Sequence, residues 1–345
     1  MTLDPERRSA LRGAKLRVLV AEVGGPDFDP EACAVDGDHL FDGSRLWTLA
    51  SEEAPETVLG TAVLRAGRHG TSDAPVPVSL LVDDPTVAAT VARRAAVLDV
   101  PPDVFQVDGR RLVAAEPAGD PAGPVELPAP DGFDDLCRGV GVEPLLEHGI
   151  WRGEVLGLEV VRVVPAGETD SAPGADGAPV VQVGVGRFDR EAGAIMQGSR
   201  TDSEVLAAAA DLVRAQRRTG AGAHPLATLG RERWLRRDLC AAPGMVGLVD
   251  LVPVDPADER LNLRDPSPAP AVGSDADGGR VLVVCSVGVD PRMLGAVCEL
   301  VLRERPDRVV VALPVRDVLR PVERALARLR IPTSVVGVPC GWDRN

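Results

Sequence analysis

No tyrosine occurs in the 345 residues, aromatic residues make up only 3%, and Lys15 is the sole lysine among 38 basic residues. Chemistry that needs an amine therefore has Lys15 or nothing, and arginine, permanently charged and a poor proton acceptor, supplies nearly all the positive charge. The six cysteines (Cys33, Cys137, Cys240, Cys285, Cys298, Cys340) are scattered with no C-x-x-C pair, which suggests neither a zinc knuckle nor a disulfide framework and makes reduced thiols the expectation. A Walker loop, a G-x-G-x-x-G between strand and helix, an H-E-x-x-H and a nucleophile elbow are all absent; VGVGRFD has a G-x-G but no third glycine. No apolar run approaches the roughly 18 residues of a spanning helix, and MTLDPERRSALRGAK has no long apolar core, so the expected setting is the cytoplasm with no membrane partner.

The chain is long enough for two or three domains with a sizeable core, and 45% hydrophobic residues fit a globular protein. A net charge of -14 argues against nonspecific attachment to nucleic acid over the whole surface, while leaving room for a local basic face. The expected fold class is α/β, a mixed sheet with helices on both faces. Residues 1–116 read as an N-terminal α/β domain, 117–130 as a linker with five prolines, 131–252 as a hairpin with helices, 253–279 as a Pro/Asp-rich connection and 280–345 as a β-α-β-α-β tail.

Local signals fill in this outline. LRVLVAEV (Leu16 to Val23) reads as a strand and Ser44 to Glu53 as a short helix. Asp84-Pro85 opens a helix after the strand VSLLV, and Asp108-Gly109 turns a hairpin. Phe133 to His148 reads as short helices. Thr201 and Glu204 form a capping box for a helix that runs to Arg218 and ends at Gly220 and Gly222. Asp277-Gly278 supplies a further hairpin turn, and the tail is expected to share a sheet with the middle segment.

The densest chemistry lies between Trp151 and Arg190. Read as one alternating strand, Glu154, Leu156, Leu158, Val160 and Arg162 share a face opposite Val155, Gly157, Glu159, Val161 and Val163. PVVQVGVG then forms the second arm, with Asp176-Gly177 as the turn, and Asp189 caps a helix through Ile195 and Met196. This arrangement resembles the core of the PD-(D/E)XK nuclease superfamily over about residues 143–218. The resemblance implies a restriction-nuclease-like hairpin-helix core in which Glu147 or Glu143 stands for the helix acid and Glu159, or Glu154, for the first hairpin acid, with Glu159 as the metal ligand. Gln182-Val183-Gly184 would stand for the acid-x-lysine element. Gln182 replaces a carboxylate and Gly184 the lysine, so the resemblance implies a catalytically degenerate member, with Mg²⁺ or Mn²⁺ as the implied metal. GEVLGLEV and VGVGRFDREA also resemble stretches of an uncharacterised protein family of GC-rich bacteria, a likeness that implies no activity. The plain alternative is that Glu154 and Glu159 are solvated or arginine-paired strand residues, Arg152 and Arg162 being nearby.

From Arg214 to Arg237 seven arginines face one acid, Glu232. Arg214, Arg217, Arg218, Arg233, Arg236 and Arg237 suggest a phosphate-binding patch, with Trp234 to stack on a base; the alternative is solvated helix ends around a core Trp234. Cys285-Ser286, with Gly288 and Asp290, marks a strand end where ligand crevices form, set against Cys285 as a small buried hydrophobe and Asp290 as a cap. The functional expectation is a nuclease-related, catalytically degenerate nucleic-acid-associated protein. The competing one is a non-enzymatic interaction or scaffold protein that meets a protein partner through its acidic N-terminal region.

Overall fold

Short-range signals act where side chains reach their own backbone. The Asp84 carboxylate accepts from the Thr86 and Val87 N–H groups ahead of Pro85–Ala95, and Thr201 and Glu204 close both halves of their capping box. The computed structural model describes residues 4–24, 28–30, 32–50, 55–70, 74–165, 179–186, 201–219, 221, 224–260 and 262–343. The expected turn at Asp176-Gly177, the Asp189 cap with its helix, and the stops at Gly220 and Gly222 lie outside the described residues.

Among the described residues the protein is mixed α/β, with eight helices and three sheets rather than one sheet. The helices are α1 (Pro5–Gly24), α2 (Pro55–Ala66), α3 (Pro85–Ala95), α4 (Phe133–Gly139), α5 (Asp202–Gln216), α6 (Arg231–Ala241), α7 (Arg292–Glu304) and α8 (Arg320–Leu326). The chain divides into two compact units: unit 1 comprises 1–121, 289–309 and 318–334, and unit 2 comprises 122–288, 310–317 and 335–345. None of the helices described is long and apolar enough to cross a membrane.

Unit 1 holds a six-stranded sheet in the order β1 (Ala34–Asp36), β2 (His39–Phe41), β3 (Leu46–Ala50), β4 (Val78–Val82), β5 (Asp103–Asp108) and β6 (Arg111–Ala114). β3, β4 and β5 are parallel and the outer pairs antiparallel, with Asp108 opposite Arg111 across the Gly109 turn as the sequence predicts. Two segments differ from the expectation. Leu16 to Val23 belongs to α1, because Leu16, Leu19 and Val20 sink into the core at helical spacing, overriding the strand preference of the valines. The Ser44 to Glu53 stretch forms β3 up to Ala50: all five of its residues are buried, and a continuous apolar run has no period that separates helix from strand.

Unit 2 holds two sheets. The antiparallel four-stranded sheet runs β10 (Val180–Val183), β9 (Leu158–Val164), β8 (Ile150–Val155), β7 (Glu143–Glu147). Phe133 to His148 is thus one short helix and then a strand, and Trp151 to Val163 is itself a hairpin, each a correction to the expectation. Two-residue turns at His148-Gly149 and Leu156-Gly157 make these reversals, with φ of 50°, 75°, 48° and 73°. Positive φ at both positions matches the twist of the flanking strands.

The five-stranded sheet runs β11 (Val252–Pro253), β12 (Ala269–Ser274), β13 (Arg280–Cys285), β14 (Arg308–Pro314), β15 (Thr333–Val338). The β-α-β-α-β tail therefore forms as expected and pairs with β12 through the predicted Asp277-Gly278 hairpin, but not with the focal hairpin, which lies in the other sheet. Leu235, Leu239, Ala271, Val283 and Val310 are among the residues that fill the core over this sheet.

Candidate functional site

A β-bulge decides what the focal hairpin presents. Register slips between Gly153 and Glu154, so that Gly153 faces Val161 while Glu154 faces Glu159. The extra residue moves Glu159 to the face that carries Glu154, Arg152 and Arg162, against the alternation read from sequence. Glu147, on β7 rather than on a helix, joins them across the sheet. α6 meets the same face with Arg233 and Arg236. The predicted acids and much of the predicted basic patch thus converge, and they converge on each other.

The contacts are short and enclosed. Arg233 donates to Glu154 Oε1 at 2.5 Å and to Glu147 Oε1, and Arg236 reaches Glu154 Oε2 at 3.4 Å. Arg152 donates to Glu159 Oε2 at 2.5 Å, and Arg162 Nε to Glu159 Oε1 at 2.8 Å. Glu147, Arg152, Glu154, Glu159, Arg233 and Arg236 are all buried. Burial alone would raise the Glu147 carboxyl, but Arg233, with Arg236 and Arg152, outweighs it and holds the pKa to about 2. Burial likewise works to lower Arg233, and Glu147 and Glu154 reverse the direction.

The remaining patch residues divide by exposure. Arg217 is buried; it donates to Leu156 O at 2.6 Å and Leu226 O at 2.8 Å and stacks over Trp234 at 5.1 Å. Burial pulls its pKa down to about 10 against the pull of Glu232 and Glu154. Trp234 is buried against Trp342, their ring centroids 4.7 Å apart. Arg214 is tied to Asp211 and to the Val140 and Gly141 carbonyls, and Arg237 to Glu143 at 3.0 Å. Arg218 is exposed, with Nε on its own helix at Ala215 O.

This donor set does not fit the implied Mg²⁺ or Mn²⁺. Each Glu159 oxygen is held by arginine, and Gln182, half-buried on β10, lies opposite Arg162 rather than beside a second carboxylate. Among the described residues no three His, Cys, Asp or Glu side chains gather as a metal site requires. Nor is Cys285 an activated nucleophile: it is fully buried and burial drives its thiol upward, away from thiolate. Asp290 accepts from the Arg292 N–H at the start of α7.

A second site, which no motif announced, lies in unit 1. A cavity of about 500 Å³ opens between the end of α2, the loop into β4, the loop after α3, and α8. Its walls are mainly apolar, with Val63, Leu64, Val76, Val100 and Ala325. Arg328 also lines it, and its Nε and Nη2 are buried with no hydrogen-bond partner among the described residues. Burial lowers the Arg328 pKa. Backbone contacts hold the segment that carries it: Asp99 N–H donates to Arg328 O at 2.8 Å, Arg330 N–H to Val97 O at 3.1 Å, and Leu98 bridges Leu329. Arg68 and Arg324 stand at the same cavity against one acid, Asp99. The lining comes from stretches far apart in sequence, which is why no local pattern marked it.

Fold and sites thus define a mixed α/β protein with an enclosed charge network in one unit and an open pocket in the other. No protein family, curated protein or solved structure matches the chain.

Proposed function

We propose that this protein binds a small, mostly apolar molecule bearing a carboxylate or phosphate group, in the unit 1 pocket. The observation that carries this reading is Arg328, half-buried at the wall of a cavity of about 500 Å³, with Nε and Nη2 buried and lacking a partner. A buried charged donor without a partner is costly, and a turn of the half-buried Arg328 side chain toward the cavity would let an anionic oxygen supply the partner that its planar fork fits. The apolar walls supply the burial that holds the rest of the ligand, and the volume lies within the range of small-molecule sites.

The test is calorimetric titration of the full chain with decanoate, decyl phosphate and decanol. Saturable binding of one anion, weaker binding of the alcohol, and loss of that preference in Arg328→Met support the reading; the two anions distinguish carboxylate from phosphate. No saturable binding of either anion, or an unchanged preference in the variant, overturns it.

The nuclease-related, nucleic-acid-associated reading has less support. The acids it needs for a metal and several of the arginines it needs for phosphates are spent on one another inside unit 2. The interaction-protein reading gains support from one specific feature, the outer face of α1.

A further inference from the structure

Helix α1 buries one side and leaves the opposite side bare. Leu16, Leu19 and Val20 pack in a core with Leu40, Trp47 and Leu49. At about 100° per residue, Leu11, Ala14 and Val18 fall on the other side, at the i, i+3, i+7 spacing of a helix seam. All three are exposed, Leu11 at 53% and Val18 at 50%.

The charges around this stripe are selective. Arg12 pairs with Asp38 at 2.8 Å and Lys15 with Asp83 at 2.6 Å. Arg7 and Glu22, one turn before Leu11 and one turn after Val18, are exposed and have no ion-pair partner among the described residues. Their order is also unfavourable for α1 alone, because a cation near a helix N-terminus and an anion near its C-terminus oppose the helix dipole. An antiparallel neighbour of the same sequence reverses that. A two-fold axis between positions 14 and 15 sets Leu11 opposite the partner's Val18 and Arg7 opposite the partner's Glu22, twice over. Ala14, near the axis, lets the two backbones approach closely.

We propose that two copies of this chain form a symmetric dimer by packing their α1 helices antiparallel along the Leu11, Ala14, Val18 stripe. The occupant is a second copy because a two-fold axis matches the apolar stripe with itself and pairs both terminal charges. A single 20-residue helix, about 30 Å long, makes a small contact, so the dimer is reversible and concentration-dependent.

Sedimentation equilibrium of the full chain, over roughly a hundredfold range of concentration reaching the high micromolar, tests this. A monomer–dimer equilibrium is expected, with the dissociation constant raised at least about tenfold by Val18→Asp. Arg7→Glu and Glu22→Arg are each expected to weaken the dimer, and the double variant to restore it; these exposed positions leave the fold intact. A chain that stays monomeric throughout, a dimer indifferent to Val18→Asp, or a double variant no better than the singles overturns the proposal.

Discussion

The two sites hold desolvated arginine nitrogens in opposite ways. In unit 2 Arg233 is saturated by Glu147 and Glu154, and the whole cluster turns inward. In unit 1 Arg328 is desolvated without a carboxylate beside it, at the wall of a cavity. The unit 2 charges sit among opposite charges, although Glu147 Oε2, Arg152 Nε and Arg236 Nη1 are left over; Arg328 has no carboxylate partner, and the proposed ligand would supply one. Residue type alone does not separate the two, since both are arginines near helices in a chain rich in arginine.

The comparison breaks most readily at Arg233. Arg233→Met leaves Glu147 and Glu154 buried without their main counter-charge, and urea unfolding is expected to show a loss of about 3–5 kcal/mol. Adding Glu147→Gln and Glu154→Gln to it should recover part of that loss; if the single variant costs under about 1 kcal/mol, the network is not the anchor described.

Next comes the hairpin turn that faces α6. A Cβ on Gly157 would lie 2.4 Å from Arg233 C and Trp234 N, at a φ of +73°. Gly157→Ala is therefore expected to cost about 2–4 kcal/mol in thermal or urea unfolding, through backbone clash as well as strain. A near-neutral result would mean that the turn and the helix do not touch.

The pH dependence follows the same network. Glu147 is depressed from an ordinary 4.5 to about 2, so its contribution is fully present above pH 4.5 and is lost as pH falls toward 2. The contribution is about 3 kcal/mol from the size of the shift. In Glu147→Gln, unfolding free energy measured between pH 4.5 and 2 should fall less steeply than in the parent; parallel curves would contradict the assignment.

Arg328→Met should have the smallest effect and the opposite sign. Removing a desolvated, unpartnered charge from the ligand-free protein is expected to be neutral or to stabilise by about 1 kcal/mol. A loss comparable to that of Arg233→Met would place Arg328 in a structural role and erase the distinction between the two sites.

Sequence reasoning succeeded where the deciding interaction is local. The Asp84 and Thr201 caps, the Asp108-Gly109 and Asp277-Gly278 turns and the alternating tail were legible because side chain, turn and backbone lie within a few residues of one another. It failed at Leu156-Gly157, because leucine is not a residue that signals positive φ; Arg217, from α5's end, holds the Leu156 carbonyl in place. The charged residues around the hairpin could be named in advance, but not their destination. One bulge at Gly153 rotates Glu159 onto the face that carries Glu154, and α6 then covers that face with the counter-ions.

What the sequence determined alone is the supply: abundant arginine with a single lysine, scattered thiols, no spanning run, and the caps and turns that punctuate the chain. What only the tertiary structure decided is which charges meet and which are left. Pairing depends on register, bulges and the approach of distant elements, and desolvation depends on what covers a side chain; neither is written within the short window over which a sequence pattern acts.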